Sequence, residues 1–64
     1  MAHYWRIERQ NYHLETKYLA KVRPTQWVWD FEDAMEFSDD TVIDACKWLV
    51  LMGVSFTVRQ FTRV

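Results

Sequence analysis

Hydrophobic and polar residues alternate along much of this chain, and that alternation predicts β-strands. Within residues 3–9, Trp5 and Ile7 alternate with polar neighbours, and aromatic and β-branched side chains favour a pleated surface. Residues 17–22 repeat the pattern and predict a second strand. The polar segment 10–16 between them is expected to form a turn or loop, with Asn11 adopting a positive φ.

The alternation in the second strand also predicts which side chains face the core. One set is expected to point inward: Tyr18, Ala20 and Val22. The other set is expected to point outward: Lys17, Leu19 and Lys21. Pro24 ends this strand because proline cannot donate to a strand ladder, and residues 26–29 predict a short third strand.

Apolar residues spaced by three and four predict one long helix, from Asp39 or Asp40 to Met52. Ser38 or Asp39 can accept hydrogen bonds from the first free amides, and Gly53 follows where a left-handed residue ends a helix. The helix side expected to be buried consists of Val42, Ala45, Cys46, Leu49 and Met52.

The segments on either side of this helix predict less regular structure. Residues 30–37 are expected to form a single helical turn or a structured loop, capped by Asp30. Residues 54–59 predict a last strand with Val54, Phe56 and Val58 facing inward. Phe61 has the opposite parity, so a bulge or frayed end is expected there.

Together these elements predict one small domain over residues 1–64, with a two-layer α+β fold. Its antiparallel sheet has three to four strands, in the order β-β-(β)-α-β, and the helix packs on one face. The other face is expected to be open. It is expected to present Arg6, Glu8, Lys17, Leu19, Lys21, Thr57 and Arg59.

Composition limits how so short a chain can be stabilised. Cys46 is the only cysteine, so no disulfide forms within the chain, and His3 and His13 lack a ligand spacing for a metal. No cofactor or metal is therefore expected. The chain is 17% aromatic, which favours a dense core or self-association into a homo-oligomer.

Charge is sorted along the chain, although the net charge is only -1. Residues 30–44 contain no Lys or Arg and hold seven acids: Asp30, Glu32, Asp33, Glu36, Asp39, Asp40 and Asp44. The flanking segments carry a basic excess. A single acidic pole of this kind favours contact with a basic partner, but it is also typical of a solvated loop followed by a helix N-terminus.

A run of structural residues follows the order of the elements: Tyr18, Leu19 and Lys21, then Trp27 or Trp29, then Ala34 and Phe37, then Leu49, Gly53 and Val54. In this run the chain resembles small, mostly uncharacterised proteins of phages and prophages in Gram-positive bacteria. The resemblance implies a mobile-element protein that binds something of the host. It supplies no catalytic residues.

These observations favour a binding module over an enzyme. No paired carboxylates, activated thiol or phosphate-cradling glycine loop is present in the sequence, and Cys46 lies on the apolar side of the helix. No apolar run approaches the roughly 20 residues of a membrane span. We therefore expect a cytoplasmic protein of the bacterial host cell, with no membrane partner.

The leading hypothesis is a phage- or prophage-derived module that inhibits a host protein, such as a nucleic-acid-binding enzyme, with anti-CRISPR activity as one concrete form. The expected contact residues are Trp27, Trp29, Asp30, Glu32, Asp33, Glu36 and Asp40. The alternative is a small nucleic-acid-binding accessory protein. Its basic sheet face would use Arg6, Lys17, Lys21 and Arg59.

Overall fold

The computed structural model describes residues 2–63 and contains a four-stranded antiparallel sheet with one α-helix. The strands are β1 (Ala2–Gln10), β2 (Thr16–Lys21), β3 (Gln26–Val28) and β4 (Thr57–Arg63), in the spatial order β3-β2-β1-β4. The helix α1 (Asp39–Leu51) precedes β4, and a single 3-10 turn (Phe31–Asp33) lies between β3 and α1. The predicted α+β fold and its order of elements are confirmed.

Local sequence accounts for the ends of α1. The Ser38 hydroxyl accepts a hydrogen bond from the Thr41 backbone, while the Thr41 side chain bonds the Ser38 backbone in return, which forms a capping box. Gly53 has a φ of 73°, the left-handed conformation expected after a helix. Asp30 likewise caps the 3-10 turn by accepting from the Glu32 amide.

The sheet has two covered faces, which we call the helix face and the turn face after the elements that lie on them. Residues opposite one another in an antiparallel pair share a face, and neighbours along a strand alternate. Ile7 pairs with Val58 on the helix face, and Arg6 pairs with Arg59 on the turn face. The core lies on the helix face and consists of Ile7, Leu19, Phe37, Val42, Ala45 and Leu49.

Two predictions about β2 are wrong. Leu19 is fully buried rather than outward-facing, while Tyr18 pairs with Glu8 on the turn face. The register of β2 against β3 shifts between Leu19 and Lys21, and such a bulge changes the parity of the alternation. Leu19 before the bulge and Val22 after it therefore both contact the core, and Ala20 is not part of it.

The last strand also differs from its prediction. It begins at Thr57 and continues to Arg63, in unbroken register with β1. The expected bulge at Phe61 does not occur, because Phe61 belongs to the turn face and stacks on Tyr4 there. Met52, expected to be buried, lies beyond the last residue of α1 and is 49% exposed.

The loop between β1 and β2 uses Asn11 differently from its prediction. The positive φ falls on Leu14, at 62°. The Asn11 side chain instead accepts hydrogen bonds from the amides of His13 and Glu15. Asn11 therefore organises the loop as an Asx turn.

The segment before α1 passes between β1 and β2, which pair only near their hairpin. The Phe37 backbone exchanges two hydrogen bonds of 2.8 Å with Trp5 of β1, and the Met35 amide donates to Leu19 of β2. Phe31, a few residues earlier, lies on the turn face, whereas α1 packs on the helix face. The chain therefore crosses the sheet here, and the Phe37 ring is buried in the core on the helix face.

Candidate binding surfaces

The turn face, expected to be open and basic, is instead covered by an aromatic cluster around Arg6. The Arg6 guanidinium carbon lies 3.8 Å from the centre of the Phe31 ring, and the side chain donates to the Phe31 carbonyl at 2.7 Å. Arg6 is only 7% exposed. The surrounding rings are those of Tyr4, Tyr18, Phe31 and Phe61.

The four predicted nucleic-acid-binding residues therefore do not form one surface. Arg6 is buried, and Lys17 pairs with Arg9 on the helix face. Arg59 remains on the turn face, where it forms an ion pair with Glu8. Lys21 is exposed beside the bulge of β2.

Two acids of the acidic segment already have partners within the fold. Glu36 accepts from Arg63 and lies 3.4 Å from the Arg6 guanidinium. Asp39 accepts a hydrogen bond of 2.7 Å from the Trp5 indole and one of 3.1 Å from His3. Glu36 is therefore a structural residue of the turn face as well as a predicted contact residue.

The environment of Asp39 favours its ionised form. The indole N–H of Trp5 lowers the pKa of this carboxyl below its ordinary value of 3.8, and the charge and hydrogen bond of His3 lower it further. Partial desolvation opposes them. Asp39 also lies in the first turn of α1, where the helix dipole favours a negative charge.

The other acids are exposed on both sides of the crossing segment. Glu32 and Asp33 lie in the 3-10 turn, while Asp40 and Asp44 lie on the solvent side of α1. Within residues 2–63, none of these four forms an ion pair. Asp30, which caps the turn, is exposed beside them. The sequence predicted an acidic contact surface that includes Asp30, Glu32, Asp33 and Asp40, but not the division of these acids between the two faces of the sheet.

Trp27 and Trp29 lie on the helix face of the sheet, outside the area that α1 covers. Each ring lies beside a basic side chain. The Arg9 guanidinium carbon is 5.4 Å from the Trp27 ring centre, and the Lys17 ammonium is 4.4 Å from that of Trp29. Trp27 packs partly against the core, whereas Trp29 is 57% exposed. These four residues line a cleft of about 320 Å³ together with Asn11 and Glu15 of the β1–β2 loop.

An apolar groove between α1 and the edge of the sheet was not predicted. It has a volume of about 850 Å³, and its lining includes Val42, Ile43, Cys46, Val50, Leu51, Trp5 and Val58. Ile43, Val50 and Leu51 are all more than half exposed. The sequence does show apolar residues outside the predicted buried side of the helix, namely Ile43, Val50 and Leu51. They form one wall of a groove only because β4 lies beside them.

The described residues form no metal-ligating cluster, and the environment of their one thiol does not activate it. No group of three or more His, Cys, Asp or Glu side chains within residues 2–63 is placed to hold a metal ion. Partial burial raises the pKa of the Cys46 thiol, which disfavours the nucleophilic thiolate. Across the same residues, no helix is long and apolar enough to span a membrane.

Comparison with known proteins yields no relative from which a role could be transferred: no protein family, curated protein or solved structure matches this chain. The surfaces described above are therefore the basis for any functional proposal.

Proposed function

We propose that this chain is a non-enzymatic, phage- or prophage-derived module that binds and inhibits a basic host protein through its exposed carboxylates. One observation supports this most directly: Glu32, Asp33, Asp40 and Asp44 are exposed and form no ion pair within residues 2–63. Free carboxylates on a folded surface attract a basic partner without first breaking internal ion pairs.

The charge of these acids suits a basic protein that normally binds nucleic acid. The 3-10 turn and the first turns of α1 hold the acids on short, capped elements, so binding would order little additional chain. Carboxylates on such a frame resemble phosphates in charge, with one pair on the 3-10 turn and one pair on α1. Inhibition of a CRISPR nuclease is one concrete form of this activity.

The test begins with the tagged chain as bait in a lysate of a Gram-positive host, followed by identification of the captured protein. Association with that purified protein is then measured by surface plasmon resonance at low and high salt. The two double variants are Glu32→Gln with Asp33→Asn, and Asp40→Asn with Asp44→Asn. The matched control is Glu15→Gln, an exposed acid in the β1–β2 loop.

We expect each double variant to slow association severalfold at low salt and less at high salt, because salt screens exposed charges beyond about 10 Å at 0.1 M. The control should behave as the parent chain. Inhibition is measured as loss of the captured protein's own activity, or as restored plaque formation on a CRISPR-immune host. Salt-independent association that neither double variant changes would contradict the proposal.

A second candidate function is single-stranded nucleic-acid binding, favoured by the pairs Arg9–Trp27 and Lys17–Trp29. Stacking aromatics beside cationic groups are the usual elements of such sites. The measurement is fluorescence anisotropy with labelled oligo-dT and oligo-U. Salt-sensitive binding that Trp29→Ala and Lys17→Gln weaken, with no protein partner captured, would favour this function over the first.

A further inference from the structure

The apolar groove lies beside the unpaired edge of β4, and we propose that the two together bind an extended segment of a partner protein as a fifth strand. The segment would run antiparallel to β4 and alternate apolar with acidic residues. This inference does not depend on the acidic surface proposed above, because it uses none of the free carboxylates of Glu32, Asp33, Asp40 and Asp44. Three independent features support it.

The first feature is the set of backbone groups at the sheet edge. β4 is the last strand in the sheet order, so one of its sides has no neighbour among residues 2–63. The Trp5 amide and carbonyl point toward Phe37, so those of Tyr4 and Arg6 point toward β4.

Their partners in β4 are Phe61 and Arg59, which therefore point back toward β1. The backbone groups of the intervening residues Val58, Gln60 and Thr62 consequently point outward. An added strand can pair with all three residues without disturbing the sheet.

The second feature is the groove on the helix face of this edge. Val58 shares that face with Ile7, and Gln60 shares it with Trp5, because they are opposite one another in the register. Residues of an added strand opposite Val58, Gln60 and Thr62 would share the same face. Their side chains would lie against Ile43 and Val50, so apolar residues are favoured at those alternate positions.

The third feature is the charge on the turn face of the edge. Arg59 and Arg63 lie there, and their side chains are 66% and 58% exposed although each already contacts one glutamate. A guanidinium has five N–H donors, so each can bond a second carboxylate. Acidic residues are therefore favoured at the other alternate positions of the added strand.

The same charges favour a foreign strand over a second copy of β4. The strand β4 contains two arginines and no acid. Pairing the β4 strands of two copies would therefore bring four arginines together at one interface. Basic side chains along an edge are a common means of opposing self-pairing. An antiparallel orientation is favoured because every ladder of this sheet is antiparallel.

The probe is the fluorescein-labelled peptide Glu-Val-Glu-Ile-Glu-Val-Glu, matched to the seven residues of β4 and titrated with the intact chain by fluorescence anisotropy. Two control peptides have lysine in place of glutamate, or the same residues in unalternated order. We expect each control to bind at least about tenfold more weakly. Equal binding of all three peptides would overturn the proposal.

Methylated peptides test the strand geometry with an unaltered protein. In an antiparallel addition, the amides of Val and Ile face β4, whereas those of Glu face solvent. Methylating the Val and Ile amides should weaken binding roughly tenfold or more, and methylating the Glu amides should have little effect. Any other pattern contradicts the proposed orientation.

Protein variants test the two sides of the site. Gln60→Pro removes an outward amide, with Gln60→Ala as its matched control, and Val50→Glu places a charge in the groove, with Tyr12→Glu on the distant loop as its control. Circular dichroism checks each fold. Only the proline and Val50 variants should lose peptide binding.

Sedimentation velocity tests the other possible occupant of this edge, which is a second copy of the chain. The chain should remain monomeric at the concentrations used for the titrations. A concentration-dependent dimer that Gln60→Pro abolishes would overturn the choice of a foreign strand and identify a second copy as the occupant.

Discussion

The guanidinium of Arg6 stacks on the ring of Phe31, with its carbon 3.8 Å from the ring centre, and donates to the carbonyl of that same residue at 2.7 Å. One basic side chain of β1 thus holds the 3-10 turn against the sheet. Because this turn leads directly into the segment that crosses the sheet, the contact also anchors the start of that segment. The face that the sequence pattern predicts to be basic and open is partly covered by this turn and by aromatic rings, which bury Arg6.

Replacing Arg6 with lysine should destabilise the fold by about 1–3 kcal/mol. Lysine keeps the charge but loses the planar stacking on Phe31 and the fixed geometry of its hydrogen bonds. Urea unfolding followed by circular dichroism measures the change. Arg59→Lys is the control, since the Arg59 side chain is 66% exposed and lysine keeps the positive charge beside Glu8, so the loss should be less than about 1 kcal/mol. Equal losses from the two variants would contradict the role assigned to Arg6.

Leu49→Ala should cost about 2–5 kcal/mol, because Leu49 is completely buried between α1 and the sheet. Leu51 on the same helix is 81% exposed, so Leu51→Ala should change the free energy of unfolding by no more than about 0.5 kcal/mol. Thermal and urea unfolding measure both variants. A small effect at Leu49 would show that α1 does not pack as described.

Trp5→Phe should raise the pKa of Asp39 toward its ordinary value of 3.8, because the indole hydrogen bond is the main cause of its depression. Ionisation of Asp39 stabilises the parent chain above the unfolded-state pKa. That contribution is lost as the pH falls through the lower native pKa. The variant should therefore lose less stability on acidification over this range.

An NMR titration of the Asp39 carboxyl carbon measures the shift, and stability is followed by urea unfolding between neutral and acidic pH. Trp48→Phe is the control, because the Trp48 indole bonds the Thr25 hydroxyl rather than a carboxylate. An unchanged Asp39 titration in Trp5→Phe would contradict the assigned cause.

Cys46 should react slowly with a thiol reagent in the folded chain and quickly in denaturant. The thiol is partly buried, and burial raises its pKa, so little thiolate is available. Release of thionitrobenzoate measures the rate, and because the chain has a single cysteine the signal is unambiguous. Native labelling as fast as that of the unfolded chain would contradict the packing of α1.

Part of the acidic surface and of the tryptophan surface could be predicted from residue type alone. Glu32, Asp33 and Asp40 are exposed as expected, because isolated carboxylates are costly to bury. Trp29 is exposed as well. The groove could not be predicted, since Ile43 and Val50 form one wall only because β4 takes the edge position beside β1.

The sequence by itself determined the elements of this fold where the signals are local. Ser38 and Gly53 mark the ends of α1 through their own hydrogen bonds and backbone preferences, and alternation predicts the strands from the pleat. Only the tertiary structure decided the position of Leu19, the crossing at Phe37 and the burial of Arg6. Leu19 depends on the bulge in β2, the crossing depends on the separation of β1 from β2, and Arg6 depends on the ring of Phe31 from another segment. Such tertiary features leave no periodic pattern in the sequence.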